Sequence, residues 1–274
     1  MNECTHCHAP LDPALDSRYC THCMHLLQQD PFSFFPVRPL EKSRFNLTPW
    51  FIAVNILLLV YMVWKGASPI FPTTEDLFHM GASFGPYTLG HGEWWRLIVS
   101  NWLHYGVFHL AMNMWCIWVL GRECEFFYST SDFVSIYFLT GISCLLLSVA
   151  VHPMRVSAGA SGVVFGLAGV IIMTVNQRGV KRFIPPDVRK SITKSTLRFA
   201  GINLLIGAAL PITDNTGHIG GLLGGLALGA IMGRRLEATP EARLYRRMVS
   251  VLFLVAFAVI YIWLRSTIKF LPSV

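Results

Sequence analysis

Residues 216–229 read TGHIGGLLGGLALG, with Gly217, Gly221, Gly225 and Gly229 recurring every four positions. On a helix that spacing stacks them along one face. A face without side chains lets a second helix approach closely, which is how helices associate where lipid replaces water as the solvent. No Lys, Arg, Asp or Glu interrupts the run. The stretch therefore reads as a tightly packed membrane helix that carries His218 at its start. The stripe alone is structural; its further meaning depends on what the close neighbour brings to His218.

The whole chain fits that reading. Its 274 residues are 53% hydrophobic and 14% charged, with mean hydropathy +0.50, whereas soluble domains carry roughly 25% charged residues. An ordinary soluble core, a disordered chain and a collagen are excluded, and seven cysteines are too sparse for a disulfide scaffold. A membrane helix takes about 20 mostly apolar residues. Seven stretches qualify or nearly do: Leu47–Trp64, Asn101–Leu120, Phe133–Val151, Ala158–Val175, Phe199–Ile212, Gly217–Met232 and Val249–Leu264. The expected class is an all-α polytopic membrane protein.

Charge placement sets the orientation. The first 46 residues hold four cysteines and no apolar run, so they lack the signature of a secretory signal peptide, and a cytoplasmic N-terminus is expected. Seven crossings then put 17 of the 22 Lys and Arg on the cytoplasmic side, leaving Lys65, Arg96, Arg155, Arg265 and Lys269 outside. Lys and Arg favour cytoplasmic loops. The net charge of +7 is thus topological, and no nucleic acid partner is expected. The C-terminus falls on the non-cytoplasmic side.

Cys4 and Cys7 form one CxxC and Cys20 and Cys23 a second, the spacing of two knuckles sharing a tetrahedral zinc ion. A segment of some 30 residues cannot build its own core, so the metal would supply the folding free energy as a structural site. A redox pair or disulfides are the alternatives, and His6, His8, His22 and His25 crowd the same knot. The segment from Asp30 to Lys42, DPFSFFPVRPLEK, reads as a Pro-interrupted linker.

The second, fourth and sixth segments all begin on the same side of the membrane, and each starts with unusual polar residues. His104, His109 and Asn113 lie in the second, Gly159-Ala160-Ser161-Gly162 opens the fourth, and Gly217-His218 opens the sixth. His109 and Asn113, four apart, share a helix face, and each taken alone can be helix-to-helix glue. Ser161 can likewise be a packing residue. Yet it stands in a first helical turn, where backbone N–H groups lack intrahelical partners and the dipole favours negative charge. If the fourth segment is the close neighbour of the sixth, His218 meets Ser161, and a serine beside a base is the minimum nucleophilic apparatus.

The set GASG at Gly159–Gly162, HxxxN at His109–Asn113 and GHxxG at Gly217–Gly221 closely resembles the rhomboid family of intramembrane serine proteases. Trp95-Arg96 before the second segment, His104 five residues ahead of His109, and the Gly121–Glu125 exit GRECE extend the likeness. It covers about Leu47 to Met232. The resemblance implies Ser161 as nucleophile and His218 as general base, without a carboxylate. It makes His109, Asn113 and the Ser161 amide the oxyanion hole, Gly221 the close contact, Trp95 and Arg96 the anchor of the first loop, and His104 its support. Phe165 stands where many bacterial members place a tyrosine that stacks on the catalytic histidine.

The implied organisation is a zinc-ribbon-like cytosolic domain over residues 1–30, a linker over 31–46, a rhomboid six-helix core over 47–234, a basic cytosolic loop over 235–247, and a seventh transmembrane helix with its tail over 248–274. The implied partners are single-pass membrane protein substrates, the lipid bilayer of a bacterial inner membrane, and an unidentified regulatory partner for the ribbon. Catalysis would need no cofactor. Two rivals stand beside this reading. One is an inactive rhomboid-like protein that binds unstable helices. The other is a small transporter, which would call for polar residues in both leaflets.

Overall fold

The computed structural model describes residues 3–4, 9–11, 20–29, 46–182, 184–210 and 213–269. Cys7, His6, His8 and nearly all of the expected linker lie outside the described residues. The helices are α1 (Thr21–Gln29), α2 (Thr48–Trp64), α3 (Thr74–His79), α4 (Arg96–Val99), α5 (Val107–Phe127), α6 (Thr130–Val151), α7 (Ser161–Val175), α8 (Pro186–Ala209), α9 (Asn215–Met232) and α10 (Pro240–Thr267). Among the described residues there is no strand. The fold is a helical membrane bundle. Helices α6 and α10 are each long and apolar enough to cross a membrane, α2 and α7 are shorter apolar helices, and the segment Arg96–Trp102 with α5 forms a bent span.

Helix α9 lies between α6 and α7, and its glycines divide between them. A Cβ on Gly221 would stand 2.1 Å from the Gly162 carbonyl oxygen of α7, and one on Gly225 would stand 1.9 Å from that of Gly166. Gly220 and Gly224 face α6 instead, against Leu147 and Ser143. Gly217, the first of the expected stripe, is turned toward Cys144 of α6. The stripe therefore serves two neighbours, because consecutive glycines at 220–221 and 224–225 lie about 100° apart around the helix. Helix α7 returns the favour with Gly162 and Gly166 against Cys144 and Thr140 of α6.

The second expected segment, Asn101–Leu120, is not one straight helix. A 3₁₀ turn at Ser100–Trp102 precedes α5, with a bend of 96° between the two parts. The cause is Gly106, at φ 92°, where a Cβ would lie 2.0 Å from the Ile70 carbonyl oxygen. Only glycine accepts both the left-handed conformation and that approach. The Val107 amide then donates to Pro69 at 2.9 Å, so the first loop takes the place of a preceding helical turn. His109 consequently sits in the first turn of α5, not well inside a longer helix.

The first loop is held from within. The Arg96 guanidinium is buried, donates to Glu93 at 2.5 Å and to the carbonyls of Phe78 and Ala82 at 2.9 Å each, and lies over the Phe78 ring. Trp95 is 40% exposed and packs on Gly81. At the other end, Glu125 of α5 accepts from the Leu47 amide, and from the Thr48 hydroxyl at 2.6 Å, fastening the start of α2.

The basic loop expected over 235–247 is short, since Thr239 caps α10 through the Ala242 amide and the helix runs from Pro240. Arg246 on this helix is fully buried and donates to Asp132 at 2.8 Å and to the Arg235 carbonyl at 2.6 Å. Asp132 also forms the capping box of α6 with Ser129. Toward its other end, the Tyr261 hydroxyl of α10 donates to the Thr88 carbonyl at 2.9 Å.

Candidate active site

The closeness of α7 and α9 places Ser161, the first residue of α7, beside His218, in the first turn of α9. Ser161 Oγ lies 2.8 Å from His218 Nε2. The Phe165 ring, one turn along α7, stacks on the imidazole with centroids 4.5 Å apart and planes within 18°. Stacking needs no hydroxyl, so phenylalanine holds that face of the ring.

The turn before Ser161 is shaped by Gly159, at φ 132°. A Cβ there would lie 2.7 Å from His109 Cε1 and 3.3 Å from its Nε2, so that edge of the imidazole rests directly on the GASG turn. The Tyr105 amide donates to His109 Nδ1 at 3.3 Å. A neutral ring accepting at Nδ1 carries its hydrogen on Nε2, and His109 therefore turns a donor toward the turn. Asn113 is buried and spends one amide hydrogen on the His109 carbonyl at 2.8 Å, leaving the other available.

His104 is buried and lies 3.3 Å from the Trp102 carbonyl through Nδ1, while Nε2 accepts from the Ala160 amide at 3.4 Å. It thus braces the GASG turn against the segment that leads into α5. The Gly159 amide donates to the Ser100 carbonyl at 2.9 Å. Together these bonds fix the approach of the chain into α7.

Two residues at the start of α9 escaped the sequence reading. Asp214 caps the helix through the Gly217 amide at 3.0 Å, accepts from Ser157 at 2.7 Å, and also accepts from Ser148. Asn215 lies 3.3 Å from His218 Nδ1 through its Oδ1 and donates through Nδ2 to the Leu204 carbonyl of α8 at 2.8 Å. The available signal was its position three residues before His218, on the same helical face.

At the N-terminus the sulfurs of Cys4, Cys20 and Cys23 all lie within 4.8 Å of one another. Tetrahedral zinc with bonds of about 2.3 Å sets its sulfurs roughly 3.8 Å apart, so this cluster fits the ion with little closure. Cys4 and Cys23 are buried among Leu11, Cys20 and Val188 of α8, so the knot rests on the start of that helix.

A serine and an imidazole in hydrogen-bond contact, sunk in a bundle of apolar helices, define the class of site. The model of the Rhomboid domain matches residues 91–235, and the chain belongs to the rhomboid family, as an integral membrane protein. It is 33% identical over 225 residues to rhomboid protease GluP of Bacillus subtilis, covering 81% of this chain and 41% of that protein. It is 34% identical over 161 residues to the mitochondrial RHOMBOID-like protein 6 of Arabidopsis thaliana, covering 59% of this chain and 51% of that protein. Rhomboid protease AarA of Providencia stuartii is 27% identical over 236 residues, 78% of this chain and 80% of its own length. The chain thus spans about half or less of the first two relatives.

Proposed function

We propose that the chain is an intramembrane serine endopeptidase that cuts the transmembrane helices of single-pass membrane proteins. The observation that carries this reading is the 2.8 Å contact of Ser161 Oγ with His218 Nε2. In the proposed step Nε2 takes the hydroxyl proton as Oγ attacks the scissile carbonyl, and the imidazolium then gives that proton to the leaving amine. An acyl-enzyme remains, and water activated by His218 releases it. The peptide must leave its helical form locally, since a helical carbonyl is hydrogen-bonded and shielded.

Charge developing on the carbonyl oxygen would meet the Ser161 amide at the start of α7, the Nε2–H of His109 and the remaining Asn113 N–H. Each such donor is worth about 3–4 kcal/mol by comparison with soluble proteases. Serine and imidazole supply nucleophile and base, so the chemistry needs no cofactor. Zinc belongs to the other end of the chain, on Cys4, Cys20 and Cys23 with Cys7 as fourth ligand, where it would hold the first 30 residues folded. The distribution of Lys and Arg supports a cytoplasmic ribbon and an active site opening on the opposite face.

The test is cleavage of a purified single-pass reporter in liposomes by the wild type, Ser161→Ala and His218→Ala, together with fluorophosphonate labelling of the wild type. Product and label from the wild type alone are expected. Cleavage by Ser161→Ala would overturn the mechanism, and a wild type that neither cleaves nor labels would favour a helix-binding protein without activity.

A further inference from the structure

The Asn215 side chain has two chemically different ends, and its surroundings leave it one orientation. The Leu204 carbonyl can only accept, so the atom 2.8 Å from it is the amide nitrogen. The amide oxygen therefore faces His218 Nδ1, at 3.3 Å. That oxygen can only accept as well, so the hydrogen of the neutral imidazole must reside on Nδ1. Nε2 is then left bare, directed at Ser161 Oγ at 2.8 Å, and the serine hydroxyl has an acceptor. In the other tautomer two acceptors would face one another at Nδ1, and Nε2 would present a hydrogen where the reaction needs a lone pair.

We propose that Asn215 is a positioning residue that holds His218 in its base-competent tautomer, the service a carboxylate performs in a three-residue serine protease site. This rests on the protease reading above. Asp214, the nearest acid in sequence, is committed elsewhere: one oxygen caps Gly217, and the other accepts from Ser157 and Ser148. The ring face is occupied by Phe165, which fixes the plane of the imidazole without distinguishing its nitrogens. Only Asn215 among the described contacts reads which nitrogen carries the hydrogen. Because its own orientation comes from Leu204, the setting of the base depends on where α8 stands against α9.

The experiment compares kcat and KM of wild type, Asn215→Leu and Asn215→Asp on the liposome reporter, with thermal unfolding recorded for each. Loss of the lock in Asn215→Leu is expected to lower kcat about 10- to 100-fold with KM within about twofold. Asn215→Asp is expected to recover at least about tenfold over Asn215→Leu, because a carboxylate still accepts from Nδ1 although it cannot donate to Leu204. If Asn215 merely ties α9 to α8, the aspartate, which lacks that donor, will be no better than leucine, and the proposal fails. Nitrogen-15 spectra of histidine-labelled wild type, assigned by difference from His218→Gln, read the tautomer without activity or mutation at Asn215. Hydrogen on Nδ1 supports the proposal and hydrogen on Nε2 overturns it. A wild type that keeps the Nδ1 tautomer yet fails to label at Ser161 would refute the protease reading and leave the lock intact.

Discussion

Substituting Gly221 by alanine probes the site through its packing alone. The new Cβ would begin 2.1 Å from the Gly162 carbonyl oxygen, whereas close carbon–oxygen contacts settle at about 3.3 Å or more. Helices α7 and α9 would have to part by roughly 1.2 Å, because both partners are backbone and no side chain can turn away. Ser161 directly precedes Gly162 and His218 lies about one turn before Gly221, so their 2.8 Å contact across the same interface would lengthen to about 4 Å, beyond hydrogen-bond range. A displacement of that size costs on the order of 10²-fold in rate, and overpacking costs about 1–3 kcal/mol in stability. The assay is reporter cleavage in liposomes beside thermal unfolding in detergent. Gly224→Ala meets Ser143 of α6, its hydroxyl at 2.5 Å and its Cβ at 2.7 Å, an overlap smaller than the 2.1 Å approach at Gly221, and Gly201→Ala on α8 meets nothing within 4 Å. The expected order of damage is Gly221, then Gly224, with Gly201→Ala neutral or stabilising by up to about 1 kcal/mol. Wild-type kcat and an unchanged melting temperature for Gly221→Ala would refute the reasoning.

Arg246→Leu strands the buried Asp132 carboxylate and should cost about 3–5 kcal/mol in detergent unfolding; adding Asp132→Asn should restore part of it, and no restoration would mean the charge itself is not the cost. Gly159→Ala forces a side chain into φ 132° and against His109, and kcat on the reporter should fall more than the melting temperature; parallel losses would argue for simple unfolding. Cys20→Ser should lower zinc from about one ion per chain, the stoichiometry of a four-thiolate site, as read by elemental mass spectrometry, and should expose the first 30 residues to protease. Equal metal content in both proteins would dismiss the cysteine site.

The helical membrane class and the approach of α9 to α7 were legible because glycine spacing and long apolar runs are local signals. Ser161 and His218, 57 residues apart, were legible only together with that approach. The bend at Gly106 was not, since its cause is the Ile70 carbonyl, more than thirty positions earlier and in a loop without periodicity. The pairing of Arg246 with Asp132 was hidden for a like reason: an arginine among other basic residues past a membrane segment reads as a topological charge. Asn215 was passed over because an asparagine before a helix is first of all a cap or turn residue, and its value depends on a carbonyl from α8.

Among the ties of helix α10 to its neighbours are Arg246 on Asp132 and, toward the other end, Tyr261 on the Thr88 carbonyl. Fifteen residues separate them, about 22 Å of helix. The first point belongs to the beginning of α6 and the second to the loop ahead of α4, so a length of rigid rod spans the two ends of the bundle. A bilayer thicker or thinner than the protein's apolar belt ordinarily makes individual helices tilt. Here α10 cannot tilt against its neighbours without breaking a buried ion pair or releasing the first loop, so a change in membrane thickness is met by the bundle leaning as a unit or by the lipid deforming around it.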